Sequence, residues 1–143
     1  MKLSTKYRYG SRAILEIAKN YGNGPIKRKR LVEILGIPDS YLENILVAMK
    51  NGGVIDTVRG AHGGYLLSKE PKEFTLYDII KAMGGGEAPV KCLDEPGSCD
   101  QVDSCATRVV WGKMRDAMDN VLKEFTLQEL LNKESNAVLN YII

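Results

Sequence analysis

The side chains best suited to chemistry are gathered in one place. All three cysteines of this 143-residue chain fall between Cys92 and Cys105, spaced Cys92-x6-Cys99-x5-Cys105, and elsewhere the only sulfur is that of methionine. The window also holds Pro96, Gly97, Ser98, Ser104 and the acids Asp94, Glu95, Asp100 and Asp103, with few apolar residues, so it has the composition of a loop. The thiolate is the form that ligates metals and reacts with oxidants, and three thiols on one flexible loop can fold around a metal centre without disturbing a core. The spacing differs from the Cys-x2-Cys pairs of most structural zinc sites. Wider separations suit thiolates that ligate iron at several points of an iron–sulfur cluster; three unconnected thiols are the plain alternative. Other chemistry is scarce. There is one histidine, His62, and no nucleophile–base pairing, phosphate loop or dinucleotide fingerprint, so an enzyme is not expected.

The elements that must carry this loop belong to a chain of ordinary composition. It is 44% hydrophobic and 27% charged, enough for one globular domain or a small domain with an appendage. No apolar run approaches a membrane span, and the opening MKLSTKYRYG lacks the apolar core of a signal peptide. A cytoplasmic protein is expected, where thiols stay reduced and an odd cysteine count points to metal or redox chemistry rather than disulfides. Charge is uneven. Residues 1–70 carry 12 Lys and Arg against 6 Asp and Glu, whereas residues 71–143 carry 8 against 12. A basic first half suits a nucleic-acid module joined to a sensing or assembly module.

Helical spacing runs from about Ser4 to Tyr21 (Tyr7, Ala13, Ile14, Ile17, Ala18) and is ended by Gly22-Asn23-Gly24-Pro25. A second helix is expected over Ile26 to Leu35, opening on the basic run Lys27-Arg28-Lys29-Arg30, which is either a solvated helix start or a set of phosphate contacts. After the turn Gly36-Ile37-Pro38-Asp39, a third helix over Ser40 to Asn51 has Leu42, Ile45, Leu46 and Met49 as its buried stripe. Val54–Val58 and Tyr65–Ser68 read as strands flanking the loop Arg59-Gly60-Ala61-His62-Gly63-Gly64. Helix-turn-helix followed by a hairpin predicts a winged helix: a mainly α fold with a small β-hairpin wing. Phe74-Thr75-Leu76-Tyr77-Asp78 is echoed by Phe125-Thr126-Leu127-Gln128-Glu129, each a Thr-x-x-Asp/Glu capping box and here taken as local chemistry. From about Ala106 to Glu124 a long helix carries the stripe Ala106, Val109, Val110, Met114, Ala117, Met118, Val121, Leu122 and Phe125, which must pack on the body or on a second copy. The tail ends in Val138, Leu139, Tyr141, Ile142 and Ile143, with no indication of where it docks. The expected organisation is a winged helix-turn-helix over 1–83, a cysteine-bearing loop over 84–105, and a dimerisation helix with its C-terminal segment over 106–143.

Several landmarks in order resemble the Rrf2 family of bacterial winged-helix regulators. They are Met1-Lys2-Leu3-Ser4-Thr5-Lys6 with Arg8-Tyr9, Ser40-Tyr41-Leu42-Glu43, Val58-Arg59-Gly60, Gly63-Gly64-Tyr65-Leu66-Leu67, and the cysteines ahead of Trp111. The resemblance runs from Met1 to about Lys133. It implies a homodimeric regulator that binds double-stranded DNA at a palindromic operator, with the long helix pairing the subunits. It also implies that Cys92, Cys99 and Cys105 hold an iron–sulfur cluster, 2Fe-2S in preference to 4Fe-4S, sensing redox state, nitric oxide or cluster supply. Cluster-assembly proteins are then candidate partners. Two other readings stand beside it: an iron–sulfur carrier or scaffold, and a regulator working without a cluster through thiols or a partner protein.

In a recognition helix the N-terminal residues face base edges, here Ser40, Tyr41, Glu43 and Asn44. Glu43 can accept from a cytosine amino group and Asn44 can pair with adenine. Ser40-x-x-Glu43 also fits a capping box in which the carboxylate faces its own backbone. The resemblance favours base contact, with Asn44 standing where well-known members carry glutamine. Arg59 at the wing tip suits a narrow minor groove, against the alternative of a solvated turn residue. Arg8, Lys27, Arg28, Arg30 and His62 are candidate phosphate contacts. Three cluster ligands leave a fourth to find. Cluster-binding members carry a histidine three positions after the last cysteine, and here that position is Arg108. Others recruit an N-terminal carboxylate from the second subunit, and here the matching residue is Arg8. Glu87, Asp94, Glu95, Asp100, Asp103 or an exogenous ligand remain candidates.

Overall fold

The computed structural model describes residues 2–142, with side chains through residue 139. Helix α1 spans Thr5–Lys19; the Ser4 hydroxyl caps it by accepting from the Tyr7 N–H at 3.3 Å. Its buried side is the expected one, Ala13, Ile14, Ile17 and Ala18. Helix α2 spans Arg28–Leu35 and starts later than spacing predicts, because Ile26 is extended and pairs with the hairpin instead. Ile26 and Tyr65 exchange both backbone hydrogen bonds at 2.9 Å. Gly36 ends α2 at φ 63°, a left-handed conformation that favours glycine, and its N–H reaches the Val32 carbonyl at 2.9 Å. Helix α3 spans Asp39–Asn51 and buries Leu42, Ile45, Leu46 and Met49, the predicted stripe.

Strands β1 (Ile55–Val58) and β2 (Gly64–Leu67) then pair antiparallel, Ile55 with Leu67 through Val58 with Gly64. Three helices and this hairpin make the winged helix-turn-helix. A 3-10 turn, Pro71–Glu73, leads into α4 (Leu76–Ala82), and residues from the four helices and both strands meet in one core. Leu31, Leu42, Leu46, Met49 and Ile79 are fully buried there. Each such side chain contributes about 1.5–3 kcal/mol relative to exposure. Among the described residues no polar or charged side chain is buried with them.

Beyond Gly84-Gly85-Gly86 the chain changes character. Helix α5 is four residues (Lys91–Asp94), followed by a 3-10 turn (Pro96–Ser98), and neither buries a residue. Helix α6 (Ala106–Glu124) is the longest element at 19 residues, packs along α4, and also buries none. Helix α7 (Leu127–Ile142) returns to lie on α1 and the Pro71–Glu73 turn, with Leu127 fully buried. Lys19 ties α1 to α7 by pairing with Glu134 at 2.8 Å.

The two echoed capping boxes are both formed. Asp78 accepts from the Thr75 N–H at 2.7 Å, and Glu129 from the Thr126 N–H at 2.8 Å. They are more than local chemistry, however. Leu76 N–H donates to the Phe125 carbonyl and Leu127 N–H to the Phe74 carbonyl, each at 2.9 Å, so the two helix starts join in a short antiparallel bridge. In the tail, Val138 and Leu139 are exposed; the side chains of Tyr141, Ile142 and Ile143 lie outside the described residues, as does Met1. No described helix is long and apolar enough to cross a membrane.

Candidate DNA-binding face and cysteine loop

The first turns of α3 carry Ser40, Glu43 and Asn44 exposed and Tyr41 half-buried. Tyr41 is held edge-on by the Tyr9 ring of α1, centroids 6.0 Å apart at 83°. The Ser40–Glu43 capping box, the alternative to base contact, does not form. Helix α3 begins one residue earlier, at Asp39, with Pro38 at the cap position and no side-chain cap bond. Glu43 instead turns to Arg28 at the start of α2, 2.8 Å from Nη1 to Oε1. The same guanidinium donates from Nε and Nη2 to the two oxygens of Asp39, at 2.8 and 3.1 Å. All three nitrogens of Arg28, a candidate phosphate contact, are therefore engaged by carboxylates of the α3 N-terminus.

The other candidate cations are more accessible. Lys27 is exposed at the cap position of α2, Arg30 is exposed 3.4 Å from Glu33, and Arg8 is exposed on α1 with Nη2 3.4 Å from the Thr5 hydroxyl. Arg59 and His62 are both exposed on the wing loop. The loop turns tightly: Gly63 N–H reaches the Gly60 carbonyl at 3.0 Å, and a Cβ on Gly63 would strike the Val58 carbonyl oxygen. Gly64, at φ 152°, lies against the Ile26 carbonyl where a Cβ has no room. The wing is thus a compact projection that presents Arg59 and His62 from a rigid base.

The three cysteines occupy three different local structures. Cys92 is half-buried in α5, Cys99 is exposed after the 3-10 turn, and Cys105 is half-buried at the cap position of α6. All are free thiols. The Cys105 thiol is held below its usual pKa, first by the Thr107 hydroxyl 3.3 Å away, then by the Arg108 and Thr107 backbone N–H groups and the Arg108 charge. Arg108 also donates from Nη2 to the Cys92 carbonyl at 3.4 Å, while its Nε is buried without a partner. Among the described residues no three His, Cys, Asp or Glu side chains stand close enough together to hold a metal ion. Of the acids proposed as a fourth ligand, Asp94 is tied to the Ala88 N–H at 2.9 Å and to Arg115 at 3.9 Å, and Glu95 pairs with Lys91 at 3.1 Å. The donor set nevertheless suits a cluster in kind. Three thiols sit on short segments that contribute nothing to the core, so they can be drawn together without unfolding the body.

The sequence reading missed Asp39, Tyr9 and Thr107, each of which positions a candidate residue. Only Thr107, two residues from Cys105, had a local signal. Next to the loop, α6 exposes a seam of apolar residues with Val110 51% and Val121 53% accessible. Val110, Met114, Ala117 and Val121 recur at spacings of four, three and four, the pattern of a helix that pairs with another helix.

The comparisons with known proteins agree with this anatomy. A family model described as Rrf2, iron-dependent transcriptional regulator, matches residues 3–133. The regulator CymR of Bacillus subtilis is 36% identical over 145 residues, covering 99% of this chain and all of its own length. The protein Rrf2 of Nitratidesulfovibrio vulgaris is 36% identical over 135 residues, covering 94% of this chain and 90% of its own. Among solved structures, T. potens IscR superposes with a TM-score of 0.79 at 31% identity, over 96% of this chain and 90% of that one. These are relatives of regulators of transcription, not of enzymes. The chain belongs to the Rrf2 family of winged-helix transcription regulators.

Proposed function

We propose that this regulator binds a palindromic operator as a homodimer and that the occupancy of its cysteine loop by an iron–sulfur cluster modulates that binding. The observation that carries the reading is the placement of every thiol of the chain on one loop that opens directly into α6, with Cys105 at the helix cap. Cys92, Cys99 and Cys105 would hold the cluster, and such a group supplies redox chemistry and lability toward oxidants, nitric oxide or iron shortage. We take the cluster to be 2Fe-2S in preference to 4Fe-4S. Arg108 stands where cluster-binding members of the family carry a histidine, so the fourth ligand must come from elsewhere. The family description as iron-dependent supports the same reading.

In the dimer, the Val110–Val121 seams of two copies pair, and the spacing between the two copies of α3 follows from that pairing. A change at the α6 cap is then transmitted to the DNA-reading helices through one rigid element, a two-state device of the kind ligand switches use. Ser40, Tyr41, Glu43 and Asn44 meet base edges in the major groove, and Arg59 enters the adjacent minor groove. Arg8, Lys27, Arg30 and His62 approach phosphates, whereas Arg28 is held by Asp39 and Glu43. An iron–sulfur carrier would have no use for this wing and basic first half.

The test is anaerobic purification followed by absorbance, iron and sulfide assays on the native protein and on Cys92→Ala, with DNA binding measured on both. The native protein should be coloured and carry stoichiometric iron and sulfide, and the variant should lose them. A colourless, iron-free native protein that still binds DNA would sink the cluster claim. A second reading then takes over, and it has its own observation. Cys105 is a free thiol whose pKa is pulled down, first by the Thr107 hydroxyl, which suits a regulator that responds through thiol oxidation alone.

A further inference from the structure

We propose that Arg28 is a positioning residue for base recognition: it fixes the Glu43 carboxylate at the start of α3, so discrimination at the base that Glu43 meets depends on a residue of the preceding helix. This rests on the reading that the N-terminal turns of α3 face base edges. Arg28 is the first residue of α2 and Asp39 the first of α3, and Glu43 lies one turn further along the face of Asp39. The guanidinium sits between the two carboxylates, bound to both oxygens of Asp39 at 2.8 and 3.1 Å and to Oε1 of Glu43 at 2.8 Å.

Three features argue that this cluster serves recognition rather than folding. The groups are accessible, with side-chain exposures of 34%, 55% and 52%, so the ion pairs add little to stability. The arrangement instead removes the freedom of Glu43, a long side chain that would otherwise sample several rotamers and lose that entropy on binding. Finally, two uncompensated acids facing a phosphate-lined groove would repel the duplex. One cation shared between them leaves a single net negative charge while a second Glu43 oxygen stays available to a cytosine amino group. A lysine could supply the charge but not the planar fork that holds both acids at once. This separates Arg28 from an ordinary phosphate contact, for which charge alone suffices.

The experiment uses the full-length native protein and a duplex that it selects from a randomised pool, together with single-base variants of that duplex. Glu43→Ala identifies the base pair Glu43 reads, where the native protein should discriminate by about ten- to a hundred-fold. Arg28→Lys, checked for native thermal unfolding, should lower that discrimination to below about threefold while leaving the salt dependence of binding unchanged. In the Glu43→Ala background, Arg28→Lys should change discrimination no further. Full discrimination by Arg28→Lys would overturn the inference, as would a loss that persists when Glu43 is already alanine. Arg28→Ala that weakens all duplexes equally and reduces the salt slope by about one would make Arg28 a phosphate contact instead. If the native protein selects no sequence, or Glu43→Ala leaves every preference intact, the reading of α3 as the base-reading element fails, and the inference with it.

Discussion

Two helices of this protein have comparable apolar stripes and opposite fates. Helix α3, 13 residues long, buries Leu42, Ile45, Leu46 and Met49 completely or nearly so. Helix α6, six residues longer, buries nothing, and leaves Val109, Val110, Met118 and Val121 accessible. The body of the molecule closes on itself; the arm formed by the cysteine loop and α6 does not. An apolar stripe shows that a helix has a partner but not whether the partner lies in the same chain. Here the contrast separates the part of the molecule whose apolar faces are covered within the chain from the part whose apolar face is left open.

The largest test of that contrast is at the α6 seam. Val110→Asp combined with Val121→Asp should convert dimer to monomer in analytical ultracentrifugation. Each valine is worth about 1.5–3 kcal/mol of burial and each appears twice in a symmetric interface. The monomer should keep its folded circular-dichroism spectrum, because neither side chain supports the core. Helix α3 should respond the other way. Leu42→Ala removes a fully buried side chain and should cost about 2–5 kcal/mol in denaturant unfolding, with the fold itself failing before assembly does. A seam variant that unfolds, or a Leu42 variant that stays stable but dissociates, would erase the distinction between body and arm.

The comparison also explains what could be read in advance. Stripes at three- and four-residue spacing are local, so the apolar stripes of α1, α3 and α6 were all legible, although not that the stripe of α6 stays open. The wing was legible because β-branched runs flank a glycine-rich loop. What escaped was contact at a distance. Arg28 meets Asp39 across eleven positions and a turn, with no periodicity to announce it. Ser40-x-x-Glu43 satisfied a local capping rule, yet the helix began at Asp39 and the carboxylate found Arg28 instead. The number and spacing of the cysteines were visible, whereas their separation onto α5, an exposed turn and the α6 cap was not. The echo of Phe74-Thr75 in Phe125-Thr126 was seen, but its meaning, a bridge between the two, needed the fold.

That bridge is where arm and body rejoin, and it yields the next prediction. Thr75→Ala and Thr126→Ala each remove a hydroxyl that accepts from a helix N–H, at 3.3 and 3.2 Å. Each should cost about 0.5–2 kcal/mol. Because the caps flank one shared pair of backbone hydrogen bonds, the double variant should depart from additivity in thermal unfolding. Additive losses would mean that the two helix starts act separately and that the bridge adds no coupling. Cys99→Ser, on the exposed part of the loop, should by contrast change the stability of iron-free, reduced protein by less than about 0.5 kcal/mol.

The smallest expected effect is a pH dependence at the same junction. Glu129 is held below its usual carboxylate pKa, first by the Thr126 backbone N–H and then by the Thr126 hydroxyl. A carboxylate whose folded pKa is depressed binds fewer protons in the folded state than in the unfolded state, so its contribution is fully present above the unfolded value. It declines as the pH falls below the usual carboxylate range and is gone once the pH passes below the depressed folded value. Neutral solution and mild acid therefore carry the effect, and stronger acid, below the carboxylate range, loses it. Glu129→Gln should lower stability slightly at pH 7 and converge with the native protein in acid, measured as the difference between their denaturant midpoints across the pH series. A difference that stays constant through the acid range would mean that the carboxylate's charge does not secure the start of α7, leaving the backbone bridge and Leu127 as what holds α7 in place.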